Sequence, residues 1–79
     1  MKNTENVGDT LRTVVISANL SALKTILANA EAIAREAHDY ALRHERNSAI
    51  GTMLVLDTLL ADARALYAAS LAIHRSTGL

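Results

Sequence analysis

One long apolar stretch, Ser48 to Ser76, constrains the fold of this chain more than any other feature. Asp57, Asp62, Arg64 and Arg75 are its only charged residues. At 100° per residue its apolar side chains cover most of the circumference of a helix. A helix this apolar needs more partners than a chain of 79 residues offers by itself. The stretch therefore predicts a buried helix and an oligomer.

Two uncharged faces can be distinguished on this predicted helix. The broad apolar arc comprises Val55, Leu56, Leu59, Leu60, Ala63, Leu66, Tyr67 and Ile73. The second face is small and comprises Leu54, Ala61, Ala65, Ala68 and Ala72. It has three interpretations: an exposed and strongly helix-forming surface, a close-packed interface between protomers, or a candidate partner-binding surface that forms one wall of a groove for a partner's helix.

Composition excludes several classes of protein. Eight basic residues balance eight acidic ones, so no net charge steers the chain to nucleic acid or anionic lipid. Abundant Ala and Leu without Pro favour helix, and the absence of Cys excludes disulfides. The polar N-terminus lacks a signal core, and the longest apolar region, Ile50 to Leu60, falls short of the roughly 20 residues of a membrane span. We expect one cytoplasmic domain with no membrane partner.

The order of elements follows from polar and apolar segments. Residues 1–10 predict a flexible polar arm, and residues 11–17, with consecutive β-branched side chains, are either extended or helical. Helix 1 is predicted at about 18–45, the turn at about 46–48 and helix 2 at about 49–76. In the turn, Asn47 tolerates a left-handed conformation and Ser48 can cap helix 2, while Gly78 suits its C-terminal end.

Two helices joined by so short a turn must run antiparallel. A turn centred between Arg46 and Asn47 predicts a hairpin seam on helix 1 formed by Leu20, Leu23, Leu27, Ala30, Ala34, Ala37 and Ala41. A second apolar row is left on one side of the hairpin and is the predicted dimer interface: Ile26, Ile33, Tyr40, Met53, Leu60 and Tyr67. The predicted fold is all-α, an antiparallel two-helix hairpin that dimerises into a four-helix bundle.

Neither metal binding nor catalysis is indicated. Helical metal ligands come at i,i+3 or i,i+4, whereas His38 and His44 are six residues apart and His74 lies near the other end of the predicted hairpin. Asp57 and Asp62 point to different sides of helix 2, and Ser70 has neither base nor orienting group within a turn, so it is expected to pack as a small residue opposite Leu23. We expect no enzyme, no metal and no cofactor.

A small basic cluster at the turn is the one feature that suggests nucleic acid. The cluster consists of Arg43, His44 and Arg46, and the acidic residue Glu45 lies within it. A nucleic-acid reader usually carries a larger basic footprint. A solvated turn is the ordinary explanation, and the alternative is a small dimeric nucleic-acid-associated regulator that uses Arg43 and Arg46.

The chain resembles two groups of small helical proteins. An apolar leader with Leu11, Val14 and Val15 precedes the helix LSALKTILANAEAIAREA, and a polar turn leads to LDTLLADARALYAASL. This arrangement, from Leu11 to Leu71, is similar to short bacterial two-helix proteins of unknown function. It also resembles phage-encoded helical-hairpin proteins that dimerise and block a host regulator or defence complex. The likeness contains no signature motif and carries over no functional residue.

These observations lead to one functional expectation. The resemblance implies a small inhibitor or anti-activator, and the apolar helices imply surfaces for other proteins. We expect a non-enzymatic protein–protein interaction module, a homodimer that binds a further protein partner.

Overall fold

A computed structural model describes residues 2–76 of the chain, with side chains from residue 7 onward. Three helices account for nearly all of this range: α1, Lys2–Leu42; α2, Arg46–Met53; and α3, Leu56–Arg75. Only Leu54 and Val55 separate α2 from α3, so these two elements form one bent helix. The all-α prediction is confirmed. The suggestion that Gly78 terminates the second helix lies outside the described residues.

Helix α1 begins sixteen residues earlier than the sequence predicted. Residues 2–10, expected to form a non-helical arm, continue the helix, and residues 11–17 are helical rather than extended. The β-branched run Thr13 to Ile16 costs only a few tenths of a kcal/mol per residue in a helix. Extension of an existing helix adds one hydrogen bond per residue without a new nucleus, and this outweighs the cost.

The connection between α1 and α2 is as long as the predicted turn at 46–48 but lies three residues earlier. It consists of residues 43–45, and His44 takes the left-handed conformation with φ 62°, instead of Asn47. Ser48 lies inside α2, and the residue before the helix is Glu45, whose side chain makes no capping hydrogen bond. The sequence argument chose Asn47 because Asn favours left-handed backbone, yet His shares part of that tolerance.

The bend between α2 and α3 arises from a local tightening of the helix. The N–H of Val55 donates to the carbonyl oxygen of Thr52 at 3.3 Å, and the N–H of Asp57 donates to that of Leu54 at 3.3 Å. Both bonds span three residues, as in a 3₁₀ turn, rather than four. The chain therefore changes direction slightly without leaving the helical region.

The chain turns back after α1, and α3 packs along it. The molecule measures 65 × 16 × 11 Å, close to the roughly 62 Å length of a straight 41-residue helix. Because residues 46–75 span only about 45 Å when helical, the first eleven or so residues of α1 extend beyond the end of α3. Two helices of unequal length thus lie side by side.

The seam between α1 and the bent helix follows alternating steps of three and four residues. On the bent helix it comprises Ala49, Thr52, Leu56, Leu59, Ala63, Leu66, Ser70 and Ile73, all buried or half-buried. On α1 it comprises Ile16, Asn19, Leu23, Ile26, Ala30, Ile33, Ala37 and Tyr40. This spacing is the heptad pattern of helices that pack at a shallow angle.

The predicted assignment of the two rows on α1 is corrected by this seam. Ile26, Ile33 and Tyr40, expected at the dimer interface, are half-buried within the chain, whereas Leu20 and Leu27, expected in the seam, are exposed. Hydrophobic burial explains the exchange. The row with Ile and Tyr removes more apolar surface from water than the row that ends in Ala34 and Ala41.

Candidate interaction surface

The described part of the chain has almost no core of its own. Its only buried residues are Ala30, Ala49 and Ala63, and none of its large side chains is fully buried. A small protein normally encloses several Leu or Ile side chains to offset the entropy of ordering the chain. The structure therefore leaves much of its apolar surface in contact with solvent.

Much of this exposed surface lies on one side of the seam, which we call the apolar flank. Its large members each follow a seam residue directly in the sequence and are 44–59% exposed: Leu20, Leu27, Met53, Leu60 and Tyr67. Ala34 and Ala41 continue the same row on α1. Because α1 and the bent helix run in opposite directions, the positions directly after the seam residues of both helices lie on the same side of the molecule and form one surface.

The other side of the seam is more polar. Its positions directly precede seam residues and include Asn29 and Glu36 on α1 and Asp62 on α3, all exposed. Two exposed valines, Val15 and Val55, also precede seam residues, and the small members of this side are Ala18, Ala22, Ala32, Ala65, Ala69 and Ala72. The apolar flank therefore exposes more large apolar side chains than the opposite side of the seam does.

A groove marks the end of the apolar flank farthest from the turn. Its volume is about 380 Å³, and it is lined by Ile16, Leu20, Leu23, Tyr67, Ser70, Leu71 and His74. The shared lining places Leu20 and Tyr67 on the same side of the molecule. Ser70 lies with Leu23 in this groove, and its Oγ is buried without a hydrogen-bond partner in the described structure.

The Ala-rich face of the second helix is exposed. Leu54 has 65% of its surface accessible, and Ala61, Ala65, Ala68 and Ala72 are all exposed as well. Within one chain this face contacts nothing that would cover it. Its role as a partner-binding surface stays a prediction.

The basic turn does not present two free guanidinium groups. Arg43 lies 4.9 Å from the ring centroid of Tyr40 and its Nε is 3.4 Å from Oε1 of Glu45. Arg46 lines a shallow concavity beside the turn together with His44 and Ile50. Arg43 therefore has contacts within the turn, whereas Arg46 makes no ion pair among the described side chains.

No group of three or more His, Asp or Glu side chains that could hold a metal ion occurs among the described residues. His74 lines the apolar groove, whereas His44 occupies the turn.

The expectation that no apolar region is long enough for a membrane span does not hold for helix α1. Over Val7–Leu42 it is long and apolar enough to cross a membrane, judged by length and composition alone. Between Arg12 and Glu31 its only charged residue is Lys24. The absence of a membrane partner and the cytoplasmic location stay predictions.

Comparison with known proteins gave no match: no family model, no curated protein and no solved structure resembles the chain closely enough to be reported. The resemblance to bacterial and phage helical proteins stays a prediction.

Proposed function

We propose that this chain is a non-enzymatic protein-interaction module whose antiparallel helical hairpin dimerises through the apolar flank into a four-helix bundle. The exposed apolar flank is the observation that carries the proposal. Its partner in the dimer is the same flank of a second copy, since closed twofold pairing is the usual arrangement of soluble homo-oligomers. The Ala-rich face remains on the outside of the bundle and is the surface offered to a further protein.

The energetics favour association. Full burial of a Leu, Met or Tyr side chain contributes roughly 1.5–3 kcal/mol, and the large flank residues retain about half of that area for a partner to cover. A single hairpin with three buried alanines gains little to offset its conformational entropy. Two hairpins that share the flank bury Leu27, Leu60 and Tyr67 in a common core.

Sedimentation equilibrium tests this proposal directly. We expect the wild-type chain to be a dimer at micromolar concentration and Leu60→Arg to be a monomer with reduced helicity. Ala69→Arg is the matched control, because it introduces the same side chain at an exposed position on the opposite side of the same helix. A fully helical wild-type monomer at micromolar concentration would refute the bundle.

A binding role beyond the dimer is tested on the Ala-rich face. Ala61→Glu and Ala68→Glu together should leave the dimer intact, because both positions lie outside the flank. Loss of a co-purifying protein from this double variant, with retention by Ala69→Glu, is the expected result. Equal recovery of the same protein with both variants would contradict the assignment of this face.

A further inference from the structure

Charged residues are placed symmetrically around the middle of the apolar flank. On α1, Lys24 lies three residues before Leu27 and Glu31 lies four residues after it. On α3, Asp57 and Arg64 have the same spacing around Leu60, with the order of signs reversed. All four are exposed, and among the ion pairs of the described side chains only the Glu31–Arg35 pair involves one of them.

The position of the turn places Leu27 and Leu60 at the same height along the molecule. Leu27 is seventeen residues before His44, the middle of the connection, and Leu60 is sixteen residues after it. Helices of equal rise that diverge from a common turn therefore bring the two leucines side by side. One twofold axis can pass close to both.

We propose that the flank binds a second copy of this chain in one orientation, with the two turns at opposite ends of the bundle. This inference rests on the proposed dimer and specifies its geometry. With the twofold axis near Leu27 and Leu60, α1 packs against the partner's α1, and α3 against the partner's α3. Lys24 then lies within about one residue's rise of the partner's Glu31, and Asp57 within the same distance of the partner's Arg64.

The alternative orientation, with both turns at the same end, is disfavoured by the same four charges. It packs α1 against the partner's α3 at equal heights. Lys24 then faces the partner's Arg64, and Glu31 faces the partner's Asp57. Every contact between these charged residues therefore joins like charges. Like charges across an interface select against a wrong arrangement more effectively than single surface pairs stabilise a right one.

Apolar size also matches the proposed orientation. Leu20 meets the partner's Ala34, and Met53 meets the partner's Tyr67, while Leu27 and Leu60 each meet their own copies at the centre. Large side chains thereby face small or flexible ones on either side of the axis, as close packing requires.

Charge reversal distinguishes the two orientations. In low salt, Lys24→Glu should weaken the dimer roughly tenfold, because it sets two like-charged contacts in place of two favourable ones. An equimolar mixture of Lys24→Glu and Glu31→Lys chains should form heterodimers as tight as the wild type. Glu36→Lys, outside the flank, is the control for net charge, and Arg35→Ala is the control for the Glu31–Arg35 pair.

A single-cysteine test gives an independent readout, because the chain contains no cysteine. Leu27→Cys should form a disulfide-linked dimer on mild oxidation, since the two copies of residue 27 lie next to the axis. Leu20→Cys is the matched control: in the proposed orientation its two copies lie about 22 Å apart along the bundle, beyond disulfide reach.

The outcomes separate the two proposals. A tighter Lys24→Glu dimer, or a Leu27→Cys dimer that fails to cross-link, overturns the orientation and leaves the interaction module standing. A wild-type chain that is monomeric, or that partitions into neutral lipid vesicles instead of self-associating, overturns both.

Discussion

The backbone N–H of Glu45 donates a 2.9 Å hydrogen bond to the carbonyl oxygen of Tyr40, five residues earlier. The N–H of His44 donates to the carbonyl oxygen of Ala41 at 3.0 Å. This pair of bonds defines a Schellman motif, in which the residue that follows the helix adopts the left-handed conformation. His44 holds that position, which glycine occupies in most proteins.

Replacement of His44 by glycine should therefore stabilise the protein. A non-glycine residue in left-handed backbone costs about 1 kcal/mol, and His44→Gly removes that cost. We expect a higher urea midpoint with an unchanged slope. Asn47→Gly is the control: Asn47 is helical in α2, so glycine there should lower stability by several tenths of a kcal/mol. The opposite ranking would place the left-handed residue at Asn47.

Gly51 lies inside α2 and offers a second stabilising substitution. An added Cβ would meet no atom within 4 Å, and its φ is not positive. Gly51→Ala should raise the free energy of unfolding by about 1 kcal/mol, because alanine loses less backbone entropy on helix formation. Thermal unfolding measured by circular dichroism is a sufficient test. A lower midpoint would indicate that another chain approaches the backbone at residue 51.

The sequence was sufficient to predict the helical class, the brevity of the connection and the end of the second helix within one residue. It was insufficient for the position of the turn, because Asn and His both tolerate left-handed backbone and the chain offers Asn47 and His44 as candidates. The predicted pairing of residues between the two helices depended on the position of the turn. That position was predicted between Arg46 and Asn47, and the structure places it at His44.

The sequence did not determine which apolar row of α1 faces the second helix, for a related reason. Helix α1 offers two adjacent apolar rows, and periodicity alone does not say which one the chain buries within itself. On the second helix, Met53, Leu60 and Tyr67 are exposed in the single chain, and their place at a dimer interface stays a prediction. On α1 the row with Ile26 and Ile33 turned inward, and Leu20 and Leu27 remained outside. The feature of the sequence that indicates the buried row is the greater bulk of Ile26, Ile33 and Tyr40 relative to Ala34 and Ala41.

Deletion of residues 1–10 should leave the fold intact, although these residues are helical from Lys2 onward. The seam spacing continues toward the N-terminus from Ile16 to Arg12 and Asp9, which are charged, and α3 does not reach this part of α1. We expect a change of no more than a few degrees in the thermal midpoint, with helical signal lost in proportion to length. A fall of many degrees would show that this segment packs on another chain.

Nucleic-acid binding through the turn is testable with two substitutions. Arg43→Ala with Arg46→Ala should abolish any complex and flatten its salt dependence if the turn contacts phosphates. We expect no complex in physiological salt, because Arg43 is held by Tyr40 and Glu45. A gel shift over a salt series is the measurement. Submicromolar, sequence-specific binding by the wild type that the double variant lacks would support the regulator alternative.

Ser70 provides a test of the groove at the end of the flank. Its Oγ is buried without a partner, so the hydroxyl has lost its water without gaining a hydrogen bond. Ser70→Ala should raise the free energy of unfolding by about 1 kcal/mol, measured by urea titration at fixed protein concentration, since the fold of a dimer depends on concentration. Ser17→Ala, at an exposed position of α1, is the control and should change stability by less than about 0.5 kcal/mol. If Ser70→Ala instead weakens the dimer while Ser17→Ala does not, the hydroxyl bonds across the interface to the second copy.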